Sequence, residues 1–470
     1  MTRLRRRDWM LGATLASSLP LLAQAQPGFE QPPELPPLPQ LPPLTLHQAR
    51  LPNGVHILVL PRPGAPRTSI RLITDAGWLR DPFGKEGLAE VALSMLAQGA
   101  RRGGETMESA DIAYASDLLG RPLQLDLSPG SAELALEAVP DQCDDAVNLL
   151  ADLVGAPTLE FESLEHMRSR AQDALALRRA DALMLAPWVA RRMFWGRAQP
   201  VQISGSLKRL KRDDVLAFHR QYWRPDRSQL LFCGDLTLEA ARGLAADFLD
   251  DWKAPKSSPN PPTTAAAAMA SAAAPAAPLA YALTLPRALG CRLVVQTAIP
   301  RGTPRVLRTL ARLLLEQRLA AQLPGAWTSE IEPLGGATCW RLSVTVPSAT
   351  LPELLPLLRE QLPKLSAEAV SPEDLAMAQA LALGDWQMNL QRGPDELLSQ
   401  AVTAGELEDL LQWPQRLRAV SAPVLQLLMS ASWRENRTQL LLLGDPGKLD
   451  GLQRAWPGVA ETTMRAVIGE

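Results

Sequence analysis

The chain has 470 residues, 46% hydrophobic and 21% charged, with a formal net charge of −2. That balance is ordinary for a water-soluble globular protein and gives no electrostatic case for nucleic-acid binding. The length is enough for two domains of about 200 residues, each with its own core.

Residues 1–25 read as an export signal. Arg3, Arg5, Arg6 and Arg7 form a basic start, a mostly apolar run follows from Trp9 to Leu22, and Ala23-Gln24-Ala25 supplies a small-x-small cleavage site. Arg6-Arg7-Asp8-Trp9-Met10-Leu11 also resembles the twin-arginine signal. The apolar run is too short to span a membrane. The expected localisation is therefore periplasmic. Residues 26–43 are rich in proline and predict an extended spacer.

Leu51-Pro52-Asn53-Gly54 then starts a hairpin, since Asn-Gly accepts the positive φ of a tight turn. Val55–Leu60 and Ser69–Thr74 are strand-like by their β-branched content. From Lys85 to Gln98 the apolar residues Leu88, Val91, Ala92, Met95 and Leu96 fall on one helical face. Helical patterns recur at 105–119, 141–154, 160–180 and 210–222. The strand Gln229–Cys233 and a helix over 237–252 close this region. Gly99–Gly104 reads as a turn, and Lys208–Arg212 as the solvated, basic start of a helix.

Residues 254–279 are Ala/Pro-rich and predict an interdomain linker. Beyond it, strands are expected at Arg292–Thr297, Trp340–Val346 and 439–443, and helices at 303–322, 351–365 and 371–390. Trp223-Arg224 through Gly234-Asp235 reappears 210 positions later as Trp433-Arg434 through Gly444-Asp445, without a gap. That spacing is far longer than a solenoid repeat and matches a whole domain. The chain is therefore expected to hold two copies of one α+β fold, 44–253 and 280–470, each an antiparallel sheet packed with helices.

The side chains offer little conventional chemistry. Cys143, Cys233, Cys291 and Cys339 show no CxxC or metal-type spacing. Cys233 reads as a buried apolar residue, and the pairing of Cys291 with Cys339 across neighbouring strands stays open. His47, His56, His166 and His219 are not spaced at i, i+3 or i+4. There is no GxSxG elbow and no GxxxxGK[ST] phosphate loop.

Leu51-Pro52-Asn53-Gly54, Gly77 ahead of Gly87-Leu88-Ala89, and the run from Leu207 through Tyr222-Trp223-Arg224-Pro225 to Gly234-Asp235 resemble the insulinase-like peptidase family, which includes pitrilysin and the mitochondrial processing peptidase. The resemblance covers nearly all of 44–470 and implies a clamshell of two α+β halves around a peptide chamber. Active members carry His-x-x-Glu-His on the helix that begins Gly-Leu-Ala, with two imidazoles for zinc and a glutamate that activates water. Here those positions are Glu90, Leu93 and Ser94. The family's further glutamate ligand matches Met167–Leu175, where Asp173 is the one acid. The arginine and tyrosine that active members place in the second half correspond to Ala320 and Trp327, the latter keeping an aromatic face and an N–H donor for peptide contact.

The resemblance thus implies a member without zinc or another cofactor, partnered with a zinc-bearing homologue and a peptide or unfolded polypeptide. Two other readings are a divergent metal-dependent endopeptidase using Glu90 and Asp173, and a structural or assembly subunit.

Overall fold

The computed structural model describes residues 38–470 apart from 197–199, 255–278, 286, 287, 289, 324, 335, 336, 448, 469 and 470. The export signal, most of the proline-rich spacer and nearly all of the linker lie outside the described residues. Residues 40–470 make one compact unit.

The first sheet is built from β1 (His47–Arg50), β2 (His56–Pro61), β3 (Thr68–Thr74), β6 (Gln124–Leu127), β7 (Ala132–Ala138) and β8 (Ser228–Gly234) in the order β1-β2-β8-β3-β7-β6. A separate hairpin joins β4 (Gly99–Arg102) to β5 (Glu105–Glu108). The second sheet contains β9 (Ala280–Thr284), β10 (Cys291–Ile299), β11 (Thr328–Leu334), β12 (Ala337–Val346), β13 (Gln439–Gly444) and β14 (Val459–Thr462) in the order β11-β12-β10-β13-β9-β14. Read from the other end, β9-β13-β10-β12-β11 repeats β2-β8-β3-β7-β6, and the sheets differ at the remaining edge, where β1 is antiparallel to β2 and β14 parallel to β9.

The α+β class is as expected, but the sheets are mixed rather than antiparallel. β2 runs parallel to β8, and β9 runs parallel to both β13 and β14. The Asn53-Gly54 turn closes β1 onto β2, and β8 then separates β2 from β3. β2 and β3 therefore do not pair with each other as chain order suggests.

Alternation along the strands gives the sheet two faces that meet different partners. Ile57 and Val59 of β2, Ile70 and Leu72 of β3, Leu134 and Leu136 of β7, and Leu230 and Phe232 of β8 point to one core. That core is completed by α1 (Leu88–Leu96), α3 (Cys143–Gly155), α4 (Phe161–Ala180), α7 (Arg212–Tyr222) and α8 (Leu238–Leu249), while α2 (Ser109–Leu118) contributes Ile112. The other face of the first sheet is covered by the helix Pro394–Thr403 of the second half, against β3 and β8.

The exchange is reciprocal. The helix α5 (Ala182–Trp195) leaves the first half and lays Leu185, Ala186, Val189, Ala190 and Met193 on Leu283, Val294, Leu441 and Leu443 of the second sheet. Gln296 donates to Ala190 O at 2.7 Å in the same seam.

Several sequence expectations are corrected. Residues 105–108 are strand, and the helix begins at Ser109. Gly99–Arg102 is also strand, so the predicted turn is confined to Gly103-Gly104, whose φ values are 57° and 92°. Lys208–Arg212 straddles two helices, α6 (Ser204–Arg209) and α7, with Leu210 buried between them. All four cysteines are free and buried. Cys291 stands opposite Val346 and Cys339 opposite Ala298, seven positions apart on the β10–β12 ladder. At about 3.4 Å per residue that is far beyond disulfide reach, so these two thiols do not pair.

Candidate functional site

The helix α1 begins where Gly87, at φ 100°, turns the chain into it. Asp81 anchors this start, accepting from Gly87 N through Oδ2 and from Ala89 N through Oδ1, each at 2.7 Å. Burial pushes the Asp81 carboxyl up to about 8, the two backbone donors oppose that rise, and Glu86 and Glu90 add to it. Leu88, Val91, Ala92, Met95 and Leu96 face the core. The remaining side of the helix borders a cavity of about 480 Å³.

Glu90, Leu93 and Ser94 all line that cavity. They bring one carboxylate, one hydrocarbon side chain and one hydroxyl to it. Leu93 is buried and brings no base. Ser94 Oγ donates back to Glu90 O at 2.8 Å, a bond internal to the helix. Glu90 Oε2 accepts from Gln202 Nε2 at 2.9 Å. Gln202 Oε1 accepts from Arg178 Nη1 at 3.2 Å, and the Arg178 guanidinium lies 4.2 Å from the centroid of the Trp188 ring.

Asp173 does not join them. It is exposed on α4, whose buried face is Leu164, Met167, Ala171 and Leu175. The residue of α4 that reaches the cavity is Arg178. The reading of Glu90 and Asp173 as a metal pair is therefore overturned by geometry. Among the described residues, no group of three His, Cys, Asp or Glu side chains is placed to hold a metal ion. A carboxylate already held by an amide, beside a guanidinium, is a donor set that does not fit zinc.

The histidines are elsewhere. His47 and His56 sit on the β1–β2 hairpin and His166 is exposed on α4. His219 is packed under Trp223 with Nε2 at 3.0 Å from Val154 O, and burial pushes it down to about 4, so it stays neutral. Ala320 is exposed near the end of the helix Arg305–Gln322, and half-buried Trp327 precedes β11. Neither is among the residues lining the cavity at α1.

The opposite cavity wall is β6. Leu125 and Leu127, two apart on one strand face, line the cavity with Pro129 and Trp78. Among the described residues β6 pairs only with β7, so its outer N–H and C=O groups form a sheet edge. The rim is joined to the second half through Arg191, whose Nε donates to Glu332 of β11 at 2.6 Å. Gln202, Arg178, Trp188 and the β6 edge carried no motif in the sequence. They are ordinary residues from distant segments that only the fold brings together.

Residues 209–275 match the model of the Peptidase M16 inactive domain. No curated protein matches the chain by sequence. Solved structures match in fold. A protease from Helicobacter pylori aligns with a TM-score of 0.72 at 14% identity, over 86% of this chain and 100% of that one. A peptidase M16 inactive domain from Pseudomonas fluorescens gives 0.71 at 15%, over 85% and 98%. The periplasmic protease PqqL from Escherichia coli gives 0.68 at 14%, over 91% of this chain but 50% of that one. Both kinds of comparison return the resemblance read from the sequence: an M16-like, insulinase-type fold, with a segment matching the inactive domain. Among the described residues no helix is long and apolar enough to cross a membrane.

Proposed function

We propose that this chain is an exported, non-catalytic insulinase-type protein that holds an extended peptide along β6 and serves as the partner subunit of a zinc-bearing homologue. The observation that carries the reading is the juxtaposition at α1. A cavity remains where the metal motif would be, bordered by a sheet edge, while the positions for ligands and base are Glu90, Leu93 and Ser94. An added strand gains main-chain hydrogen bonds from such an edge, and its alternate side chains face the cavity beside Leu125 and Leu127. Water activation has no support at Leu93, so binding is retained and hydrolysis is not.

Partnership is supported by length. This chain covers 100% of the Helicobacter pylori protease but 50% of PqqL, so a longer chain of this fold holds in one polypeptide what this protein is expected to assemble from two. Export is supported by the basic, apolar and small-x-small order of residues 1–25. In the complex Trp327 is assigned a peptide contact.

The test is the rate at which a zinc-bearing homologue from the same cell cleaves an unfolded casein, with and without this chain. A stable complex burying upward of roughly 2,000 Å² in total is expected, with a changed rate. Trp327→Ala is expected to alter that rate while leaving the complex intact. No complex and no change in rate at micromolar concentrations would favour a structural or assembly role instead.

A further inference from the structure

The loss of the metal ligands leaves open what now occupies the charged end of the cavity. The answer lies in three side chains from three segments. Arg178 leaves the last turn of α4, following Met167, Ala171 and Leu175 along the face that packs on α1. Its guanidinium is stacked on Trp188 of α5 and hydrogen-bonded to Gln202, and Gln202 passes a second hydrogen bond to Glu90. Gln202 is only 5% exposed, so its amide has been withdrawn from water for these two bonds.

The backbone makes room for this arrangement. A Cβ on Gly87 would come within 2.6 Å of Gln202 Nε2. A solvated arginine at a helix end would show neither the stacked ring nor the buried amide that orients it.

We propose that Arg178 is a protein-borne cation standing in for the metal ion at this site, that Gln202 is its positioning residue, and that the pair excludes zinc from α1 even when the imidazole ligands are restored. A metal ion needs deprotonated, unshared donors. In this chain the one carboxylate on the helix is already bonded, and where histidine replaces Glu90 the fixed positive charge of Arg178 still shares the cavity. Repulsion between a divalent ion and a guanidinium in a partly desolvated cavity is strong, because solvent screens it little. The same guanidinium keeps the cavity able to donate hydrogen bonds to a peptide carbonyl, the group a metal would polarise in an active relative.

This inference rests on reading α1 as the former metal helix. Its readout, the metal affinity of this chain alone, is independent of whether a partner subunit exists. Zinc chloride is titrated calorimetrically into the full chain carrying Glu90→His, Leu93→Glu and Ser94→His, with and without Arg178→Met, and zinc is counted by elemental analysis after gel filtration. Circular dichroism establishes that each variant is folded. The triple variant is expected to retain less than one zinc per chain, and adding Arg178→Met is expected to raise the affinity at least tenfold. Replacing Arg178 with lysine in the triple background is expected to give no such gain, which separates charge from volume. Stoichiometric, tight zinc in the folded triple variant with Arg178 in place would overturn the proposal. So would equal affinities with and without Arg178.

Discussion

The two halves share a strand order and differ in what each seam between them is made of. Where α5 crosses onto the second sheet, the contact is mainly hydrocarbon, Val189 and Met193 against Val294 and Leu441, with the Gln296–Ala190 hydrogen bond beside it. Where the helix Pro394–Thr403 crosses onto the first sheet, the centre is Arg71 of β3. Its guanidinium meets Asp395 at 2.8 Å, Glu396 at 3.1 Å, Glu133 at 3.4 Å and Asp126 at 3.8 Å. Ser69 also donates to Asp395 and Ser399 to Glu133. By ladder register Val294 stands opposite Leu441 as Arg71 stands opposite Leu231, so one sheet position carries a valine in one copy and an arginine in the other. A repeated fold thus fixes where a helix must dock, and leaves the means of docking free.

This contrast can be broken most severely at Arg71. Arg71→Met leaves Glu133 and Asp395 without their cation in a buried seam and is expected to cost about 3–5 kcal/mol, measured by urea denaturation. A loss below about 1 kcal/mol would make the cluster equivalent to a surface pair. On the apolar seam, Val189→Ala removes only hydrocarbon, and about 2 kcal/mol is expected with no dependence on pH. If instead the Val189 variant loses more than the Arg71 variant, the ionic seam is not the more fragile one.

Gly87→Ala tests the first half's cavity rather than a seam. A side chain at φ 100° is strained, and its Cβ displaces Gln202. About 1–2 kcal/mol is expected, together with loss of the Gln202–Glu90 bond in a crystal structure of the variant. An unchanged bond would mean that the loop carrying Gln202 yields freely.

The smallest effect is the titration of the ionic seam. Burial alone would raise the Asp395 carboxyl, but the Ser69 hydroxyl and Arg71 outweigh it and hold it below the usual carboxylate range. Its stabilising contribution is therefore present above about pH 4 and lost as pH falls through its depressed value. Glu133 runs the other way, since burial raises it more than Ser399 and Arg71 lower it, so it opposes part of that change. The wild type is expected to be more stable than Asp395→Asn at neutral pH, with the gap narrowing as pH is lowered. A gap that stays constant to pH 2 would assign Asp395 no ionic role.

Much of this was legible in the chain. The repeat announced two copies, and the apolar spacing of Leu88 to Leu96 placed α1 with Glu90, Leu93 and Ser94 on it. The crossed helices were not legible. The faces of α5 and of Pro394–Thr403 are answered by strands far away in sequence, so no local pattern says where either helix docks. Glu105–Glu108 was misread because Glu and Met favour helix, and only pairing with β4 makes it strand. Glu90 was visible, while its partners Gln202 and Arg178 carried no pattern at all, since a hydrogen bond between distant polar residues leaves no period.

The proposed function has the first half bind an extended peptide at β6 without cleaving it. Hydrogen exchange of the full chain, with and without a saturating unfolded casein peptide, tests this at the amides of residues 124–127. Slowed exchange there, little change along β11, the corresponding edge of the second sheet, and recovery of the peptide intact are the predicted results. Protection confined to β11, no protection at either edge, or a peptide recovered in pieces that a metal chelator keeps whole would contradict the account.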